Sequence, residues 1–175
     1  RLTDHDTSCL GRCIRSFGRK LMSDQPQHIS FPSPIGPLTV FVENDAIIVI
    51  ESGRASGEAG TDPLLIETRT QLDAYFDGKM AKFDLPLAPD GTPRQKEIWE
   101  TMNRIPYGTT MTYGELADLT GSVARAIGGA CSANPIPIVQ PCHRVVGAKN
   151  ALTGFSFAGG AETKYQLLKL EGVML

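Results

Sequence analysis

With 175 residues, 41% hydrophobic content and a formal net charge of -2, the chain has an ordinary globular composition and room for one large domain or two small ones. Its longest apolar run, Ala46 to Ile50, falls far short of the ~20 residues of a membrane-crossing helix. The four cysteines at 9, 13, 131 and 142 do not make the dense framework that staples small secreted domains, which points to a reducing cytoplasm.

Charge is uneven: basic residues outnumber acidic ones over 1–22, acidic residues dominate 23–90, and 91–175 is mildly basic. Contact with phosphates therefore belongs to the last part. Residues 1–22 read as an upstream extension, because the stretch is basic, lacks periodicity and ends at Met22-Ser23-Asp24-Gln25, which looks like a natural start. His5, Cys9 and Cys13 recur at helical spacing, and with His28 they could be imagined around zinc. Spacing alone does not make a site, so no metal and no cofactor are expected.

Taken in chain order, Pro32-Ser33-Pro34-Ile35-Gly36 is a loop, and Leu38 to Glu43 and Ala46 to Glu51 flank Asn44-Asp45 as a hairpin. Leu64, Leu65, Thr68, Leu72, Tyr75 and Phe76 follow a helical period that ends near Asp77-Gly78. Lys82 to Leu87 is predicted as a returning strand, and the turn formers from Ala88 to Pro93 mark a boundary between an N-terminal domain, 23–90, and a C-terminal one, 91–175.

Past the boundary, Gln95 to Ile105 reads as a helix with Ile98, Trp99, Met102 and Ile105 on one side. Thr112 and Glu115 form a capping-box pattern ahead of Leu116, Ala117 and Leu119, and Thr120-Gly121 stops that helix. Ser122 is expected to cap a third helix of small residues, Val123 to Cys131. Two short helices across a tight turn make a helix-turn-helix pattern.

The chemistry concentrates in Asn134-Pro135-Ile136-Pro137-Ile138-Val139-Gln140-Pro141-Cys142-His143-Arg144-Val145-Val146-Gly147. A thiol is a strong nucleophile only as thiolate, and a nearby imidazole, directly or through a fixed water, can take its proton. Adjacent strand residues face opposite ways, so the Cys142-His143 pair needs a turned or helical backbone. A bare Cys-His pair more often packs than reacts.

Its context changes that balance. Pro-Cys-His-Arg-Val after Asn-Pro-Ile-Pro-Ile resembles the active-site signature of the methylated-DNA-protein-cysteine methyltransferases, or O6-alkylguanine-DNA alkyltransferases. The likeness extends through Ile105-Pro106-Tyr107-Gly108, Thr112 to Ala117, Ala124 to Gly128 and Leu167 to Gly172, while residues 28–90 match only in their order of strands and helix.

The resemblance implies an α/β N-terminal ribonuclease-H-like domain and a mainly α C-terminal helix-turn-helix (winged-helix-like) domain that binds DNA and carries the active-site cysteine. It implies direct-reversal DNA repair: a flipped O6-alkylguanine, with O4-alkylthymine a further candidate, gives its alkyl group irreversibly to Cys142. The enzyme acts once per molecule, as a monomer on double-stranded DNA, without a membrane or cofactor. By the same analogy His143 deprotonates Cys142 through a water, Glu171 holds His143, and Asn134 braces the turn. Tyr113 helps turn the phosphate and donates a proton toward the leaving guanine.

Arg125 would occupy the vacated place in the stack, with Val123, Ala124, Tyr113 and Ser132 on the DNA face of a helix docked in the minor groove. Cys131, Val145, Phe157 and Ala158 would line the pocket. Three departures stand out. Gln140 replaces a branched apolar residue, the Gly121-Ser122 turn is short, and the pocket loop 153–160 is two residues longer, with Ala158 lacking a hydroxyl some relatives offer. Cys142 weighs against a binding-only relative, no signature supports a cysteine hydrolase, and a regulator without chemistry would leave Pro-Cys-His-Arg unexplained.

Overall fold

The computed structural model describes residues 26–174. Its N-terminal part is an antiparallel sheet of β1 (Gln27–Phe31), β2 (Leu38–Glu43) and β3 (Ala46–Ser52), in the order β1-β2-β3. The β2–β3 hairpin is as expected, with Asn44 and Asp45 both left-handed at φ 50° and 60°, the backbone a two-residue turn requires. Strand β1 is an addition to the sequence reading. Its residues alternate too weakly to announce a strand, and its pairing with β2, from Gln27–Val42 to Phe31–Leu38, supplies the order.

Helix α1 (Pro63–Phe76) starts on Asp62, whose carboxylate accepts from Leu64 N, and turns Leu65, Thr68, Leu72 and Tyr75 onto the sheet. The predicted strand over 82–87 does not form. Only Leu87 bridges Ile47, while the Gln71 side chain takes the strand's place as partner, accepting from Asp84 N and donating to Asp84 O. Pro86 also removes a donor that a central strand would need.

The C-terminal part is helical. Helix α2 (Pro93–Met102) begins two residues before the expected start, because Thr92 and Gln95 make a complete capping box with Pro93 in the first turn. Ile105 leaves the helix but stays buried through a turn closed by Ile105 N donating to Met102 O. The Trp99 indole N–H donates to Ala130 O at 2.8 Å and ties α2 to α4 (Ala124–Ser132). Helix α3 (Tyr113–Thr120) has the predicted Thr112/Glu115 capping box and ends on Gly121 at φ 58°, a left-handed C-cap.

Ser122 does not cap α4. Its backbone N–H closes α3 by donating to Ala117 O, and Val123 becomes the N-cap with no side-chain bond. β4 (Met111–Thr112), just before α3, pairs in parallel with β5 (Val145–Val146), which follows α4, and helix α5 (Ala161–Leu170) closes the chain's regular structure.

Two apolar clusters organise the interior. One joins the sheet and α1 to Ile136, Ile138, Val139 and Leu167, so C-terminal residues complete the N-terminal core. The other joins α2, α3 and α4 to Cys131, Cys142 and Val145. The segment 136–145 lies between them, which is why the candidate site sits at their junction. No helix among the described residues is long and apolar enough to cross a membrane, and no group of three or more His, Cys, Asp or Glu among them could hold a metal ion. His28 instead stacks on Phe41, and His5, Cys9 and Cys13 lie outside the described residues.

Candidate active site

Cys142, His143 and Arg144 form one turn of 3-10 helix between Pro141 and β5. That turn resolves the geometry a strand would have forbidden and buries both groups, leaving Cys142 4% and His143 0% exposed. Asn134 holds the approach: its amide N–H donates to Gln140 O at 2.9 Å, and its amide oxygen accepts from Ile136 N at 3.0 Å. Between those anchors Ile138 is left-handed at φ 75°, a conformation costing a β-branched residue about 1–3 kcal/mol. Full burial of its side chain in the N-terminal cluster offsets the strain.

Glu171, the C-cap of α5, is 5% exposed and not a solvated helix end. Its Oε1 accepts from His143 Nε2 at 2.8 Å, Tyr75 Oη at 2.8 Å and Arg144 Nη2 at 2.9 Å. Its Oε2 accepts from Arg144 Nε at 2.9 Å and Gly108 N at 3.1 Å. Burial pushes the carboxyl up, but bonds and charges from His143 and Arg144 outweigh it and hold it at about 2, against an ordinary 4.5. Glu171 is therefore ionised, which makes Nε2 of His143 the protonated nitrogen.

The other ring nitrogen, Nδ1, is buried and has no hydrogen-bond partner among the described residues. Burial lowers the imidazole below its ordinary 6.5, against the pull of Glu171, so near neutral pH the ring is neutral with a bare lone pair on Nδ1. The Cys142 thiol is pushed up by burial, opposed by a hydrogen bond from Asn134, the Lys164 ammonium and the backbone N–H groups of Cys142 and His143. Such a thiol needs a base, and the arrangement can supply one.

Tyr113 opens α3, packs against the cluster of Cys131 and Cys142, and donates its hydroxyl to Thr153 O at 2.9 Å. Burial first, then the neighbouring thiols, raise it to about 12, so it stays a proton carrier at neutral pH. Gly154 permits the approach: at φ 70° it takes a left-handed backbone, and a Cβ there would stand 2.5 Å from the Tyr113 oxygen. Cys131 is buried beside Cys142 and raised to about 12 by burial and that second thiol, the behaviour of a packing residue.

Val145 is fully buried in the same cluster. In loop 153–160, Phe155 packs against both clusters, whereas Phe157 packs only on the N-terminal one and meets Phe155 edge-on. Phe155 is thus the loop ring that reaches the cluster holding Cys142. Ala158, at φ 26°, offers its carbonyl to the Thr163 hydroxyl and is partly buried. Val123, 65% exposed, stands with exposed Ala124 and Arg125 at the start of α4, and Ser132 is exposed at its end.

Three participants escaped the sequence reading. Arg144 stands inside the signature, yet only the fold shows it clamping Glu171 and donating to Ile105 O at 2.7 Å. Lys164 is fully buried and donates its ammonium to Val145 O and Thr153 O. The signal was there, since Lys164, Leu167, Leu168 and Glu171 share a helical face. Tyr75 was part of a helical stripe, with nothing in the sequence to join it to a residue 96 positions away.

Comparison with known proteins agrees with this architecture. Residues 93–173 match the family model of the 6-O-methylguanine DNA methyltransferase DNA binding domain, and residues 28–89 that of its ribonuclease-like domain. A methylated-DNA--protein-cysteine methyltransferase of Methanosarcina acetivorans is 42% identical over 151 residues, covering 81% of this chain and 96% of that protein. The Mycobacterium tuberculosis O6-methylguanine methyltransferase superposes with a TM-score of 0.74 at 39% identity, over 84% of this chain and 93% of its own. That mycobacterial protein has also been solved in complex with DNA, and this form matches with a TM-score of 0.74 over 83% of the present chain. With relatives aligned across both parts of the fold, the chain belongs to the 6-O-methylguanine DNA methyltransferase family.

Proposed function

We propose that this protein repairs O6-alkylguanine in double-stranded DNA by direct reversal, moving the alkyl group once and irreversibly to Cys142. The observation that carries the chemistry is the pair of environments on the His143 ring, Glu171 at Nε2 and no partner among the described residues at Nδ1. With Nε2–H given to Glu171 and Nδ1 bare on the same 3-10 turn as Cys142, the imidazole is the base the buried thiol needs.

In the reaction, His143 Nδ1 takes the thiol proton, directly or through a water. The thiolate attacks the alkyl carbon, and the carbon–oxygen bond breaks with its electron pair going to the guanine O6. A proton from Tyr113 neutralises the leaving base, whose ordinary form is then restored, and the thiol proton held by His143 returns through solvent to the Tyr113 phenolate. Glu171 stabilises the imidazolium that forms, and Asn134 keeps the turn in place. Cys131, Val145, Phe155, Phe157 and Ala158 surround the incoming base. A thioether offers no easy reversal, so each molecule acts once.

Residues 91–175 are the DNA-binding and transfer domain in this reading, with α3 and α4 as a helix-turn-helix of winged-helix-like form in the minor groove. Residues 23–90 are a ribonuclease-H-like domain. Arg125 enters the stack, and Val123, Ala124 and Ser132 line the exposed contact face. The protein works as a monomer in the cytoplasm, and O4-alkylthymine is a second substrate to be tested beside O6-alkylguanine.

Incubation with duplex DNA carrying O6-methylguanine should add one methyl to the protein, mapped to Cys142 by peptide mass spectrometry, with repaired guanine never exceeding protein. Unmodified protein over intact lesions rejects the transfer, and repair of many lesions per molecule rejects single use.

A further inference from the structure

We propose that Tyr75, a residue of the N-terminal half, is a positioning residue for alkyl transfer, its hydroxyl bond to Glu171 keeping His143 in the neutral, Nδ1-bare form that accepts the thiol proton. The inference rests on the reading of His143 as the base of Cys142.

Tyr75 is fully buried on α1, and its ring is fixed by Phe76, Phe83 and Tyr107 at centroid distances of 5.4, 5.3 and 6.1 Å. Those contacts leave the hydroxyl one place to go: it donates to Glu171 Oε1 at 2.8 Å and lies 3.5 Å from His143 Nε2. Tyr75, from the N-terminal half, thus shares one carboxylate oxygen with two C-terminal donors, Arg144 Nη2 and the imidazole itself.

The bond has two consequences. With its proton committed to Glu171, Tyr75 offers none to His143 Nε2, so that nitrogen keeps its own hydrogen and Nδ1 stays bare. The bond also draws charge from Oε1, which would otherwise favour the imidazolium and withdraw the base as pH falls. The remaining charged and titratable groups facing the imidazole are Arg144 and Cys142 on its own turn, Lys164 on α5 and Tyr107 after α2. Arg144 and Lys164 disfavour imidazolium and Glu171 favours it. Tyr75 is the hydroxyl donor on Oε1 and adjusts the Glu171 charge without adding its own, as the Gly108 N–H does on Oε2.

Single-turnover methyl transfer should be followed against pH for wild type, Tyr75→Phe and Tyr107→Phe. Tyr107→Phe also removes a hydroxyl from this cluster, partly buried, but that hydroxyl donates to Leu170 O and makes no hydrogen bond to the Glu171 side chain. For Tyr75→Phe the acid limb should move up by about one pH unit, with transfer several-fold slower along that limb and recovering toward wild type as pH rises above it. Tyr107→Phe should leave the limb in place whatever it does to thermal stability. An unmoved limb in folded Tyr75→Phe, or an equal shift in Tyr107→Phe, overturns the proposal.

Should Tyr75→Phe fail to fold, imidazole nitrogen-15 NMR of the wild-type protein decides. The expected His143 signal is Nε2–H with a bare Nδ1 near neutral pH, and an Nδ1–H tautomer or an imidazolium overturns the idea. Wild type that adds no methyl to Cys142 refutes the underlying reading. Wild type that is methylated there, with an unmoved limb in Tyr75→Phe, refutes the Tyr75 inference alone.

Discussion

The residues around Glu171 and those at the start of α4 occupy opposite kinds of environment. His143, Glu171, Arg144, Tyr75 and Lys164 are buried, each tied by side-chain hydrogen bonds, with five donors on one carboxylate. Val123, Ala124 and Arg125 are exposed, and their helix begins without a side-chain cap. A group that must hold a pKa and an orientation gains from fixed dipoles and low dielectric, whereas a group that must meet a large external surface has to project from the fold. Substitutions should therefore couple chemistry to stability in the first region and separate them in the second.

The largest expected effect is at the thiol itself. Cys142→Ala should abolish methyl transfer while lesion DNA still binds, as measured by intact mass and by gel shift. Loss of binding along with transfer would mean that the buried turn also holds the recognition face.

Next comes the network. Glu171→Ala leaves Arg144 as a buried charge without its carboxylate, and should cost about 3–5 kcal/mol in urea unfolding along with most of the transfer rate. Acid should act on the same groups. Glu171 is held at about 2 when folded against an ordinary 4.5, so its stabilising contribution is present above 4.5 and is lost as pH falls toward 2. His143 titrates below its ordinary 6.5 when folded, so the unfolded chain binds that proton first and stability already begins to decline as pH falls through 6.5. Unfolding midpoints across this range should drop in two stages, and Glu171→Ala should lack the lower one.

Arg125→Ala probes the other region. Repair of the lesion should slow about tenfold, equivalent to about 1.4 kcal/mol, while folding stability stays within about 0.5 kcal/mol, as for an exposed residue without partners to lose. A large stability loss would erase the contrast between the two regions.

The smallest effect sharpens it. Gln140 is buried beside the turn, and its Oε1 has no hydrogen-bond partner among the described residues. Gln140→Val should raise stability by about 1 kcal/mol without changing the transfer rate, because it removes an unsatisfied polar atom while the backbone carbonyl that binds Asn134 remains.

The local grammar of the chain was legible where short-range chemistry decides. The hairpin at Asn44-Asp45, the Thr112/Glu115 capping box and the Gly121 stop all formed as read, because each depends on residues a few positions apart. Ser122 misled for the converse reason: its backbone was taken by Ala117, so the neighbouring helix decided its role. Lys82 to Leu87 misled because Gln71, brought up by α1, satisfied the backbone a strand partner would have paired. Phe155 and Phe157 could not be told apart until the loop was folded over both clusters.

For the candidate site, sequence alone named the groups proposed to react or to position them, Cys142, His143, Glu171, Asn134 and Tyr113, through the 134–147 segment and its resemblance to a family. Tertiary structure decided what makes them a site: the 3-10 turn that buries Cys142 and His143 together, the bare Nδ1, and the convergence of Tyr75, Arg144, Gly108 and His143 on Glu171. The reason is physical. A side chain's identity is written in one position, but its protonation state is set by dielectric and by donors arriving from α1, α5 and the 106–108 turn, which only packing brings within reach.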